Sequence, residues 1–216
     1  MLEALGGSAK KNSSNGPYKY LGEGNIGNYS DLYQALGLPA GSTIITGQAF
    51  LRYYSQEEAK DCIVPKTGIA VNISFNTLLQ AGLVAGKNIT FNGKNYFARL
   101  IRGANTLPLD QMGSVPDSTI YPAGAVFNFC EFNLLFNPII DMSGKSPEGM
   151  AYGDQWKYQP GELGFITARQ ANSTFCANYN STNVLLRGSS DQRFAAMRSR
   201  STTSTYWSLR PILFEI

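Results

Sequence analysis

Histidine is absent from the 216 residues. The commonest general base and metal ligand is therefore missing, which excludes Ser-His-Asp and Cys-His catalytic arrangements and histidine-based zinc sites. Cysteine is scarce: Cys62, Cys130 and Cys176 are odd in number, far apart and in no metal-ligand spacing. Cys130 lies in the apolar run 127–136 and reads as a buried thiol, as does Cys62 ahead of its own hydrophobic run. Sequence leaves a Cys130–Cys176 bridge open. Charged residues make up only 15%, well under the usual ~25%. The 18 Lys and Arg against 15 Asp and Glu give a net +3, and they are scattered rather than gathered on one face, so no nucleic-acid partner is expected. No apolar run reaches membrane-spanning length, and the first residues lack the basic-then-apolar order of a signal peptide, so neither membrane insertion nor secretion is expected. The glycines at 22, 24 and 27 mimic a dinucleotide fingerprint but lack the strand that must precede it.

Glycine (22), tyrosine (12) and phenylalanine (12) are plentiful, beside many Asn, Ser and Thr. This profile belongs to a β-rich, loop-rich chain with a polar but largely uncharged surface. Its length buries a full core as one domain, with room for a small N-terminal element. Residues 1–16 carry Gly, Ser, Asn and Lys without periodicity and read as a flexible arm that attaches the chain to a neighbour, with Lys10 and Lys11 its basic pair. Residues 17–42 read as a small oligomerisation or attachment element. A short helix is predicted within 29–37, capped by Ser30 and stopped by Gly37 and Pro39. Tyr18, Tyr20, Tyr29 and Tyr33 supply aromatic interface anchors, and a homotrimer is expected.

From 43 onward strand signals dominate. A strand is predicted over 43–54, a strand pair over 63–73 broken at Thr67 and Gly68, and a helix over 74–82 capped by Ser74 and ended by Gly82. Asn92-Gly93 marks a type I′ hairpin between apolar runs at 89–91 and 96–100. A long loop follows over 103–123. Residues 128–140 carry Phe129, Phe132, Leu135 and Phe136 at helical spacing and predict the main core helix. Trp156 reads as a packing anchor.

The C-terminal thirty residues carry most information. Two apolar runs, 183–188 and 207–216, bracket a polar stretch, and each holds one arginine, Arg187 and Arg210. Asp191, Gln192, Arg193, Arg198, Arg200, Thr202 and Tyr206 between them are the candidate ligand-binding residues, while Ala195, Ala196 and Met197 face inward. Strand ends hold a rigid framework on which intervening residues vary freely, the usual construction of a binding surface. Tyr, Arg, Ser and Asn side chains suit recognition because they combine hydrogen bonding with low ordering cost. Chemistry is poorly represented. Asp141, Glu148, Asp154 and Glu162 are loop-borne carboxylates, but none comes with a substrate-binding motif. Asp191 and Glu215 are too few for a calcium site. No cofactor, metal or catalytic residue is expected.

Leu-Arg-Gly at 186–188 and Leu-Arg-Pro-Ile-Leu at 209–213 resemble the terminal segment of C-type-lectin-like domains in bacteriophage virion proteins, including targets of diversity-generating retroelements. That fold is related to the formylglycine-generating enzymes. The blocks at 50–54, 62–66 and 89–103 resemble upstream blocks of phage virion proteins with this ending, and Cys-Glu-Phe-Asn-Leu-Leu at 130–135 falls at their helix. Together they span residues 45–216. Ser208 and Leu209 depart from the usual Gly-Phe or Gly-Trp, and Ser189 replaces a second glycine. The resemblance implies an α+β, C-type-lectin-like domain over 43–216, β-rich with two or three short helices and long loops. It implies structural roles for Arg187 and Arg210, their guanidiniums satisfied by backbone carbonyls or a carboxylate between strands. It also implies a non-enzymatic virion surface protein of the tail-fibre or head-fibre type, made in the host cytoplasm. Its arm would meet other virion proteins, and its polar face a host-surface glycan or protein. The alternative is a capsid or tail decoration protein that touches virion proteins alone.

Overall fold

Strand β3 (Ala49–Ser55) shows the period-two alternation from which the molecule is built. Phe50 enters one core while Leu51 and Tyr53 enter another, because successive side chains leave opposite faces of a strand. The computed structural model describes residues 17–105, 130–140, 157–165, 170–189 and 194–216, with the backbone of 119–120. Its architecture is β-rich α+β. A six-stranded antiparallel sheet runs in the order β1 (Tyr18–Asn25), β3, β4 (Lys60–Pro65), β13 (Pro211–Glu215), β7 (Lys94–Leu100), β6 (Lys87–Phe91). A five-stranded sheet runs β12 (Trp207–Ser208), β9 (Ser173–Tyr179), β10 (Asn183–Gly188), β11 (Phe194–Ser199), β8 (Thr119–Ile120). Only the β12–β9 contact in it is parallel. Two short strands, β2 (Thr43–Ile44) and β5 (Ala70–Val71), pair separately.

Each face of the six-stranded sheet packs against a core, one of them over part of its length, since Arg52 and Tyr54 are exposed on the face that carries Phe50. Helices α1 (Tyr29–Ala35) and α2 (Phe75–Gln80) pack Leu32, Phe75 and Leu78 into one core with Phe50, Leu213 and Phe175. Helix α3 (Glu131–Phe136) puts Phe132, Leu135 and Phe136 into the other, against Leu51, Ile212 and Leu185. Burying each such side chain contributes roughly 1.5–3 kcal/mol, so these two clusters carry the fold.

Local signals hold where the chemistry is local. Ser74 caps α2, its Oγ accepting from Thr77 N at 3.2 Å, and Gly82 leaves the helix at φ +81°. Ser74→Ala should lower stability by ~1 kcal/mol, read as a reduced denaturant midpoint with unchanged slope. Asn92 and Gly93 adopt φ +48° and +77°, the left-handed pair that a type I′ turn needs between β6 and β7.

Other expectations are corrected. The cap of α1 is Asn28, not Ser30, and no side chain closes it. The strand predicted over 43–54 divides into β2 and β3, which join different sheets. Between them Gly47 lies under the Tyr29 ring, where a Cβ would come within 2.5 Å of a ring carbon. The core helix is shorter than its periodicity, because Pro138 sits in a 3-10 turn, Asn137–Ile139, that follows α3; Phe129 lies outside the described residues, as do Trp156 and residues 1–16. The polar C-terminal stretch is not one loop, since β11 runs through it with Ala195 and Ala196 fully buried. Residues 17–42 are continuous with the rest: β1 pairs with β3, and α1 enters the core. Tyr18, Tyr29 and Tyr33, expected as interface anchors, are buried within their own chain.

Candidate recognition face

The scaffold beneath the C-terminal polar segment is set by its two arginines, both with no exposed surface. Arg187, on β10, donates to Gly103 O (2.7 Å), Asn133 Oδ1 (2.8 Å) and Phe194 O (3.2 Å), and its guanidinium lies 4.8 Å from the Phe132 ring. It thereby joins β10, β11, α3 and the segment that follows β7. Arg210, between β12 and β13, donates to Leu163 O at 2.6 Å, and its guanidinium carbon lies 5.2 Å from the Phe136 ring and 4.8 Å from the Phe165 ring. Gly188, at φ +79°, closes the Leu-Arg-Gly run where a Cβ would meet Phe165 at 2.5 Å.

Residues 200–206 connect β11 to β12 across this scaffold. Their backbone is fastened at several points: Asn76 N to Arg200 O, Asn72 N to Ser204 O, Ala171 N to Thr205 O and Ser173 N to Tyr206 O, all 2.9–3.1 Å. Arg200, read from sequence as a ligand contact, has its own side chain committed to this fastening. Its Nε donates to Asn76 Oδ1 (3.1 Å) and its Nη1 to Asn180 O (3.1 Å) and Ser181 O (3.3 Å), with the Tyr179 ring 4.9 Å away. Arg198 is half-buried and donates to Met197 O. Thr202 and Tyr206 are free to solvent, Tyr206 being 49% exposed. Ser201 and Thr203 are exposed beside them in the chain, the exposed Ser181 and Thr182 are brought to the segment by Arg200 N donating to Thr182 O (3.0 Å), and Thr43 is tied to Asn72 by the bond from Asn72 Nδ2 at 3.0 Å. Asp191, Gln192 and Arg193 lie outside the described residues.

The arrangement offers hydroxyl and amide groups and one exposed aromatic ring on a backbone already fixed by hydrogen bonds. Among the described residues no cluster of three potential metal ligands occurs. Of the four carboxylates weighed for sugar cleavage only Glu162 is described, and it accepts from Gln159 N at 2.8 Å to cap the turn Pro160–Leu163. All three cysteines are free and buried. Burial pushes the thiols of Cys62 and Cys176 well up, which keeps them protonated and unreactive. No helix among the described residues is long and apolar enough to cross a membrane.

Sequence reasoning missed one polar centre. Arg99 on β7 grips Glu131 with both guanidinium ends at 2.6 Å. Glu131 also accepts from Arg102 N (2.8 Å) and the Tyr18 hydroxyl (2.5 Å). Burial raises the carboxyl's pKa, but these donors outweigh it and hold it below the usual range. Burial and the neighbouring Glu131 charge push the Tyr18 hydroxyl well up. A cavity of about 240 Å³ opens beside the centre, lined by Glu57, Glu58, Arg102 and Asn105 among others. The centre ties α3 to β1 and β7. Its signal was a single charge inside each of two apolar runs.

No protein-family model, curated protein sequence or solved structure matches the chain.

Proposed function

We propose that the chain is a non-enzymatic recognition protein of C-type-lectin-like architecture, carried on the surface of a bacteriophage particle. It contacts a host-surface glycan or protein through the segment between β11 and β12. One observation carries the recognition reading. Thr202 and Tyr206 face solvent from a backbone held by inward hydrogen bonds, so they change at little cost to the core. Fixing the loop beforehand removes ordering cost from binding, which is how rigid paratopes gain affinity. Virion placement and lectin-like architecture rest on the ordered blocks at 50–66, 89–103, 130–135, 186–188 and 209–213. Asp191, Gln192, Arg193 and Arg198 extend the proposed surface, while Arg200 belongs to its support.

The test compares two variants on reconstituted particles. Thr202→Ala/Tyr206→Ala should change stability by less than ~0.5 kcal/mol per site. Host adsorption should fall more than about tenfold if two contacts of ~1 kcal/mol are lost. Unchanged adsorption at full particle occupancy would remove the host-binding assignment. Loss of occupancy instead would favour a decoration protein whose polar face meets other virion proteins.

A further inference from the structure

The glycines at 22, 24 and 27, which mimic a dinucleotide fingerprint in the sequence, have another use in the fold. Gly27 fits beneath Phe91, where a Cβ would come within 2.6 Å of the ring. Gly22 and Gly24 lie on β1, outermost in the order of the larger sheet, and face Arg52 and Phe50 of β3 in register. Bare glycines inside a strand mark a bulge or the close approach of another backbone or ligand. Here the register shifts between Tyr20 and Gly22, and Gly22 takes φ +120° with nothing within 4 Å of the place a Cβ would occupy. The bulge residue Leu21 is 41% exposed.

A cavity of about 370 Å³ opens beside these residues. Ile63 and Tyr96, both buried, lie at its floor, and the exposed Leu21, Arg52 and Asp61 stand at its rim. Arg52 and Asp61 belong to adjacent strands, yet they do not pair, and neither has a hydrogen-bond or ion-pair partner among the described residues. The Arg52 stem lies over Gly24 instead, its Cδ 3.5 Å from where a Cβ would stand. Lys94 and Glu215 also border the cavity and satisfy each other at 2.8 Å. Two cations and two anions among the described lining cancel, so a strongly charged partner gains no advantage there. Tyr54, 37% exposed, alternates onto the same face as Arg52. Arginine and tyrosine are the residue types that protein interfaces favour, and Leu21 sets an exposed apolar group next to them.

We infer that this face joins two copies of the chain about a two-fold axis, with Arg52 of each copy against Asp61 of the other and each Leu21 entering the other's groove. A two-fold contact requires a patch complementary to itself. One unpaired cation and one unpaired anion on the same face meet that requirement, since the axis that forms one Arg52–Asp61 pair forms the second as well. The bare Gly22 and Gly24 leave room for the approaching chain. The tyrosine anchors expected from sequence at 18, 29 and 33 are enclosed within the monomer, and Tyr54 takes their place in a two-fold rather than a three-fold contact. No residue of the segment between β11 and β12 takes part.

Sedimentation velocity on the full chain should show a dimer at micromolar concentration. Arg52→Asp and Asp61→Arg each replace two attractive pairs by two like-charge contacts, and each should raise the dimer dissociation constant about hundredfold or more. Mixing the two variants should restore a dimer containing one of each, because both contacts are then attractive again. Arg52→Asp/Asp61→Arg within one chain should restore it too. Both positions are exposed and unpaired within the monomer, so folding followed by circular dichroism should not change. If a reversal fails to fold, the unaltered chain decides, its dimer weakening as sodium chloride screens the two pairs. A chain that stays monomeric at high micromolar concentration overturns the inference and leaves the groove to another occupant. So does a dimer indifferent to either reversal or to salt, and so do reversed variants that remain apart when mixed.

Discussion

Arg187→Ala should abolish cooperative folding at room temperature. The guanidinium satisfies Gly103 O, Phe194 O and Asn133 Oδ1 in a region without solvent, and truncation strands all three. Each buried acceptor left unpaired costs roughly 1–3 kcal/mol, and the lost volume beside Phe132 adds a cavity cost. Whole domains are stable by only ~5–15 kcal/mol. One substitution therefore removes most of the margin. Loss of near-UV dichroism and of a sigmoidal denaturant transition would be the expected record. Arg187→Lys should rescue only partly, because one ammonium cannot reproduce a planar fork that reaches α3, β11 and the segment after β7 at once. A transition within ~1 kcal/mol of the unaltered chain would show that β10 and α3 hold together without it.

The second large effect belongs to Arg99 and Glu131. Arg99→Met leaves a buried carboxylate without its bidentate partner and should cost ~3–5 kcal/mol. Glu131→Gln strands the guanidinium and should cost a similar amount. Arg99→Met/Glu131→Leu should be less destabilised than the sum of the single changes, because neither charge is then left alone. Equal additivity would mean that the pair does not couple α3 to β7. The pH dependence follows from the same contacts. Arg99, the Arg102 amide and the Tyr18 hydroxyl hold the Glu131 carboxyl below its ordinary value of 4.5, despite burial. The unfolded chain therefore takes up this proton more readily than the folded one. The contribution is complete above pH 4.5 and is lost as pH falls through the lowered value. Acid titration of Glu131→Gln should lack that part of the decline.

Much of the fold was legible where a few adjacent residues decide the outcome. Ser74 and Gly82 bound a helix, Asn92 and Gly93 force a turn, and the runs at 183–188 and 207–216 form strands because their chemistry is local. The resemblance of their runs made Arg187 and Arg210 legible as scaffold, and both are fully buried, Arg187 with three oxygen acceptors and Arg210 with one. Arg200 gave no such signal. It sits in a polar stretch, and its acceptor Asn76 is 124 positions away in the chain. Likewise the Arg99–Glu131 pairing depends on α3 settling across β7, which no window of sequence contains. Residues 43–54 looked like one strand because β-branched and aromatic residues are frequent throughout. Gly47 beneath Tyr29 divides them, and that contact exists only once α1 has packed.

Strand β13 is the latest strand in the chain, yet it lies between β4 and β7 at the middle of the larger sheet. During synthesis β1, β3 and β4 can pair in succession, and β6 and β7 can close their hairpin, but the two halves share no neighbour until residues 211–215 emerge. Until then β4 and β7 each present an unpaired edge, the template on which other chains add strands. The closing contact also joins positions far apart in sequence, a slow step in any β-rich domain. Ribosome-bound intermediates of this chain should thus need protection from one another until β13 emerges, and a nascent chain stopped before residue 211 should accumulate as aggregate rather than as a smaller folded unit.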